Sequence, residues 1–259
     1  MIAFLTSHIG GSYRIDGKRY PTYLNNDNAL VDQLRKRWPS HCKMLLIGTA
    51  PDCFERNDSL LECFRTAFPM SGLPVSEMDV CDDRNEQTVE HLLDYDVILL
   101  SGGHVPTQMA YFKKIKLKER LTDFDGIIIG VSAGSMNSAK LVYAQPEYEG
   151  ESADPCYQRF FPGLGITNMM ILPHYQDIKN DILDGQRLFE DITYPDSFGR
   201  KFYALVDGSF VTVTTNETIL YGEAYLIKDG TVQQICKKRR ITLHRGELNA
   251  QVSLSGPGP

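Results

Sequence analysis

Apolar positions along this chain follow two periods, and the switches between them mark out its elements. Continuous apolar runs occupy Ile2 to Thr6, Met44 to Gly48 and Asp96 to Leu100, and Gly126-Ile-Ile-Ile-Gly-Val131 is the strongest of them. Short runs apolar on both faces are what strands buried inside a parallel sheet require. Between the runs the period lengthens. Leu60, Leu61, Phe64 and Phe68 recur at helical spacing, and Thr107 to Leu121 sets Met109, Phe112 and Ile115 opposite a side that carries lysines. That is the stripe of an amphipathic helix. A further strand is expected over Pro74 to Val80, a short helix over Glu86 to Leu93, and a polar loop after the Gly-Gly-Ser stretch as far as Asn28. Strands alternating with helices imply βαβ units with right-handed crossovers.

Past Lys201 the pattern changes to short strands at Phe202 to Val206, Phe210 to Thr214, Glu223 to Ile227 and Thr231 to Ile235. Asp-Gly or Asn-Glu turns divide them, and Asp229-Gly230 is a hairpin signal. No repeat or linker precedes the tail, Ser255 to Pro259, which is expected to fray. The expected architecture is one α/β domain over 1–259: a mostly parallel sheet flanked by helices, with a C-terminal antiparallel β extension.

Composition narrows the function classes. The 259 residues are 42% hydrophobic and 23% charged, enough for a substantial core without staples. Twenty-seven Lys+Arg against 33 Asp+Glu give a net charge of -6, which disfavours nucleic acid or an anionic membrane as partner. Cys42, Cys53, Cys63, Cys81, Cys156 and Cys236 are scattered without a C-x-x-C pair, so reduced thiols are expected rather than a disulfide framework or a zinc site. The N-terminus lacks the cationic region of a signal peptide, and no apolar run approaches the roughly 20 residues of a membrane span. A cytoplasmic chain, monomer or homodimer, is expected, with no metal and no cofactor.

The chemistry begins at Gly130-Val131-Ser132-Ala133-Gly134, directly after the strongest strand and before a segment, Met136 to Tyr143, able to form a helix. A strand-to-helix turn tight enough to expose a serine hydroxyl needs small neighbours, which Gly130, Ala133 and Gly134 provide. The Ala133 N–H would face an oxyanion formed beside Ser132. The same glycine-rich turn could instead serve only close helix packing or a phosphate.

A serine nucleophile needs a base, and histidine suits neutral pH. His41 and His91 fall in polar settings and His244 in a basic tail, while His8 and His104 follow strand ends. His174 closes the run Met169-Met-Ile-Leu-Pro173-His174, which delivers it to the same sheet edge as Ser132. The loop Ser101-Gly102-Gly103-His104 ends another strand at that edge, so the Gly103 N–H is a second candidate oxyanion donor. A plain β-to-α turn is the competing reading of that loop.

Gly-Val-Ser132-Ala-Gly-Ser-Met-Asn, Leu-Leu-Ser-Gly-Gly103 and Leu-Pro-His174-Tyr together resemble the dipeptidase E and cyanophycinase group of serine peptidases, over roughly Asp96 to Ile235. The resemblance implies a fold like class I glutamine amidotransferases, Ser132 as nucleophile, His174 as general base, no metal, and cleavage of small acidic peptides. The aspartyl dipeptidases carry Gly-Gly-Gly-Asn where this chain has Ser-Gly-Gly-His104, in a loop that borders the substrate. Two acids match family positions: Glu147, 15 residues after Ser132, and Asp207 in Leu-Val-Asp207-Gly208. Asp207 is preferred as the third triad member because a strand end fixes a carboxylate better than a loop does, and Glu147 could instead hold a substrate amino terminus. Asp177 is a weaker choice, better suited to capping a helix. Arg159, near the acid loop, could pair with a substrate carboxylate. Lys237-Lys-Arg-Arg240 reads as a solvated strand edge.

Three function classes follow: a serine exopeptidase for short, acidic peptides, an esterase of the α/β-hydrolase type, and a non-catalytic amidotransferase-like binding module. Only 42 residues separate Ser132 from His174, too few for the several βα units an α/β-hydrolase places between them. The peptidase is the leading expectation.

Overall fold

The computed structural model describes residues 1–237 and 240–243. In chain order the strands of the two principal sheets are β1 (Ile2–Thr6), β4 (Lys43–Ile47), β5 (Glu77–Cys81), β6 (Val97–Leu100), β7 (Ile127–Val131), β10 (Met170–Leu172), β13 (Lys201–Leu205), β14 (Phe210–Val213), β15 (Thr218–Tyr221), β16 (Ala224–Lys228), β17 (Thr231–Cys236) and β18 (Arg240–Leu243). Three ribbons complete the count: β2–β3 (Gly10–Ile15, Lys18–Leu24), β8–β9 (Leu141–Tyr143, Phe160–Pro162) and β11–β12 (Ile182–Leu183, Gln186–Arg187). The helices used below are α1 (Leu30–Arg35), α2 (Phe54–Met70), α3 (Val105–Lys114), α4 (Leu117–Arg120), α5 (Ala133–Asn137) and α6 (Tyr175–Ile178).

The eight-stranded sheet has the order β18-β15-β14-β1-β7-β6-β4-β5. Neighbours are parallel from β1 to β5 and antiparallel from β1 through β14 and β15 to β18. Both faces of its central strands β1, β7, β6 and β4 are buried, as the unbroken apolar runs require. Alternate residues of one strand enter different cores: Leu45, Ile98, Leu100 and Ile128 pack on one face, and Met44, Leu46, Leu99 and Ile129 on the other. The second face is closed by Leu34 of α1 and by Phe64 and Phe68 of α2, the first by Met109 and Phe112 of α3 and by Phe202 of a second, four-stranded sheet. That smaller sheet runs β10-β13-β16-β17, with β10 and β13 parallel.

The mostly parallel sheet, its flanking helices and the antiparallel C-terminal strands agree with expectation. Three local readings are corrected. The polar stretch before Asn28 is the hairpin β2–β3, turned at Asp16-Gly17 with φ of 47° and 78°. Thr107 to Leu121 is two helices, because Lys116 enters left-handed backbone at φ 53° between them. The helix after Ser132 is Ala133–Asn137, and the chain then turns into β8, so Met136 to Tyr143 is not one helix. Asn137 spends its amide on Val105 and Gln108, and Val142 and Tyr143 pair with β9, where β-branched and aromatic residues pack well.

None of the six cysteines is in a disulfide, and four of them are buried. Among the described residues no helix is long and apolar enough to cross a membrane. Lys238, Arg239, His244 and the tail from Ser255 lie outside the described residues.

Candidate active site

The strongest strand delivers Ser132 to the carboxyl edge of the sheet. Its N–H donates to Thr6 of β1 at 3.0 Å, and its carbonyl accepts from Ser135 and Met136, so the helix starts at the serine itself. The backbone is held at φ 50°, ψ -111°, a region side chains disfavour. The small residues around it are sterically required. A Cβ on Gly134 would overlap the Leu100 carbonyl, and one on Gly130 would stand 3.0 Å from the Ser135 backbone.

His174 arrives from the other sheet, at the end of β10, also at positive φ (58°). Its Nε2 lies 2.9 Å from Ser132 Oγ and its Nδ1 2.8 Å from Asp207 Oδ1. Asp207 follows β13, the parallel neighbour of β10, so one strand pair sets both residues. Ser7, at the end of β1, completes the array. Its hydroxyl lies 2.6 Å from the same Asp207 oxygen and accepts the His174 N–H at 2.8 Å. The Gln176 side chain accepts the Asp207 N–H at 2.9 Å. Burial alone would raise the Asp207 carboxyl. Hydrogen bonds from His174 and Ser7, with the charge of nearby imidazoles, outweigh it and hold the group below the ordinary carboxylate range.

The loop bearing Gly103 is fastened from below by a buried polar chain. Ser101 and Thr49 join at 2.7 Å, Gln108 donates to Thr49 and to the Ser101 carbonyl, and Asn137 of α5 donates to Gln108. A Cβ on Gly103 would come within 2.5 Å of Thr49, so only glycine fits. Neither the Gly103 nor the Ala133 N–H donates elsewhere among the described residues, Ala133 being the first residue of its helix.

Glu147 lines the cleft beside Ser132 and His174 without touching either as a triad member would. It is exposed at its rim, yet desolvation holds its carboxyl above the usual range, reinforced by Glu151 and opposed by His104, His174 and Arg56. Its loop is clamped by Glu151, which accepts the N–H groups of Glu147 and Tyr148 and pairs with His104 at 2.8 Å. His104 thus braces the acid loop, stacked on Tyr148 at 4.4 Å, instead of facing the cleft. Arg159 is likewise engaged, with both oxygens of Asp196 at 3.1 Å, and lines neither part of the cleft.

The cleft has two halves that share Gly103, Ser132 and His174. One encloses about 170 Å³ under Val105, Met136, Leu172, Ile178 and Leu188, with Glu147 and Asp181 as its acids. The other encloses about 240 Å³ and is lined by His8, Ser12, Arg19 and Arg56. His174, Asp177 and Asp207 bring three possible metal-ligand atoms within 4.8 Å of one another. His174 Nδ1 and Asp207 Oδ1 are already joined to each other, and Nε2 faces Ser132.

Sequence reasoning missed Ser7, although it follows a strand that ends at the same edge. It also missed Gln176, Glu151 and the arginine pair, whose places depend on how distant loops fold back.

Residues 15–221 match the model of peptidase family S51. No curated protein sequence matches the chain. Solved structures that share its fold include two peptidases. One is a peptidase from an acI-B1 Actinobacterium, at 18% identity and TM-score 0.58, covering 93% of this chain and 96% of that one. The other is a putative peptidase E protein from Listeria monocytogenes EGD-e, at 16% and 0.55, covering 91% and 98%.

Proposed function

Since the chain belongs to peptidase family S51 and is a serine peptidase, we propose that it is an exopeptidase for short, acidic peptides, with Ser132, His174 and Asp207 as its triad. The observation that carries this reading is the unbroken relay from Ser132 Oγ to His174 to Asp207, at 2.9 and 2.8 Å. In that relay His174 Nε2 takes the serine proton as Oγ attacks the scissile carbonyl, then returns it to the leaving amine. Asp207 fixes the tautomer and balances the imidazolium, and its depressed pKa keeps it ionised for that role. The Gly103 and Ala133 N–H groups receive the oxyanion, each donor being worth roughly 10²–10³ in rate. Water then attacks the acyl-enzyme by the same route.

Glu147 is the reading's partner for the substrate ammonium. It lines the same half-cleft as Ser132 and His174, and a carboxylate there limits cleavage to peptides whose free amino end is close to the scissile bond.

Hydrolysis of Asp-X, Glu-X, β-Asp-Arg and neutral dipeptides by the parent, Ser132→Ala and His174→Ala chains tests the proposal. Cleavage of Asp-X or Glu-X that disappears in both variants is expected. Cleavage restricted to neutral peptides would remove the acidic preference. Silence throughout, together with no fluorophosphonate labelling of Ser132, would remove the assigned triad.

A further inference from the structure

The half-cleft that Glu147 does not line holds positive charge and no carboxylate among its lining residues. Arg19 reaches it from strand β3 and Arg56 from the first turn of α2. Arg19 donates to Ser12 Oγ at 2.8 Å, and Arg56 to the Gly102 carbonyl at 3.2 Å. Both acceptors are neutral. Arg35, Arg65, Arg84, Arg120, Arg159 and Arg187 each have a carboxylate, whereas the other described arginines, Arg14, Arg37, Arg200 and Arg240, line neither half-cleft. The Arg19 Nε is buried with no hydrogen-bond partner. Burial, with the charges of Arg14 and Arg56, lowers the Arg19 pKa against an opposing effect of Cys63, while a guanidinium stays protonated.

Two like charges drawn together and half withdrawn from water destabilise the empty site, and an anion bound between them removes that penalty. A guanidinium fork matches a carboxylate in shape as well as charge. We propose that Arg19 and Arg56 form a carboxylate-binding subsite that seats the anionic end of a short peptide on the side of Ser132 opposite Glu147. The inference rests on Ser132 as the point of attack. A peptide lying across it would set its ammonium toward one half-cleft and a carboxylate in the other, with the scissile carbonyl between. The carboxylate can be the C-terminal one of the leaving residue or an acidic side chain.

Calorimetric binding to the Ser132→Ala chain, where no turnover intervenes, tests the subsite with Asp-Leu, Asp-Leu amide, Leu-Leu and Leu-Leu amide. Adding Arg19→Gln or Arg56→Gln should weaken the carboxylate-bearing ligands roughly tenfold or more, and leave Leu-Leu amide unaffected. Losses confined to Asp-Leu and Leu-Leu assign the C-terminal carboxylate. Losses confined to Asp-Leu and Asp-Leu amide assign the side chain. Arg56→Lys, which keeps the charge without the fork, should fall between. Equal affinities in parent and variants, equal losses for all four ligands, or no binding of any of them would overturn the subsite. Hydrolysis by the parent chain is scored separately. Binding through the arginines without cleavage sinks the proposed dipeptide-cleaving reading alone, and cleavage indifferent to the arginines sinks the subsite alone.

Discussion

Glu147 and Asp207 show how one kind of side chain takes opposite roles in one cleft. Asp207 receives hydrogen bonds that outweigh its burial, whereas at Glu147 desolvation outweighs the charges of His104, His174 and Arg56. The sign of the pH dependence follows. A carboxyl whose folded pKa is raised costs stability once pH passes its unfolded value, and the cost is complete above the folded value. Glu147→Gln should therefore melt higher than the parent at pH 7 to 8 and equal to it at pH 3, while binding free-amino peptides less tightly. Thermal melts at the two pH values decide this, and an equal gain at both would show that charge is not the cause. Ser132 and His174 were legible from local pattern, since each closes an apolar run at a predicted strand end. The same ground favours Asp207 over Glu147, and Asp207 is the acid whose carboxylate stands 2.8 Å from His174. Ser7 was not legible as a partner. Its hydroxyl matters only because β1 lies beside β7 and β14, a pairing no short stretch of sequence displays.

At the scale of elements, the turn between β7 and α5 is defined by what cannot fit beside it. Gly134 sits against the Leu100 carbonyl of β6, which cannot move without breaking the sheet. A Cβ on Gly102 would meet the Ser132 Cβ at 3.3 Å, tight but with room to yield. Gly134→Ala should thus cost roughly 2 kcal/mol or more of stability. Gly102→Ala should stay folded and lose turnover by crowding the nucleophile. Urea melts beside fluorophosphonate labelling rates separate the two outcomes, and similar melts for both would contradict the steric account. The parallel strands were readable because burial on both faces leaves no polar residue to interrupt them. The hairpin β2–β3 was not, because Tyr13, Ile15, Tyr20 and Tyr23 are exposed and its polar positions mimic a loop. The helix expected over Met136 to Tyr143 is not there because the chain turns into β8 soon after Asn137, whose side-chain amide is held by Gln108, 29 residues away.

Across the whole molecule, the reactive array is shared between two sheets. Ser7 and Ser132 come from the large sheet, His174 and Asp207 from the small one, and the Ser7 hydroxyl bridges them with contacts at 2.6 and 2.8 Å. The common core beneath contains residues of both, such as Leu100 and Phe202, so neither sheet can shift without disturbing the relay.

The positive φ of Ser132 also bears on how such a protein could be improved or ruined. Glycine is ordinarily a poorer choice than alanine for stability, by about 0.5–1 kcal/mol. At a turn like this the order should reverse, because alanine keeps the Cβ that makes φ 50° unfavourable and glycine does not. Ser132→Gly is therefore expected to melt above Ser132→Ala in differential scanning calorimetry, and the opposite order would mean the turn stores no strain. Selection for heat resistance alone would then drift toward a molecule that is sturdier and inert.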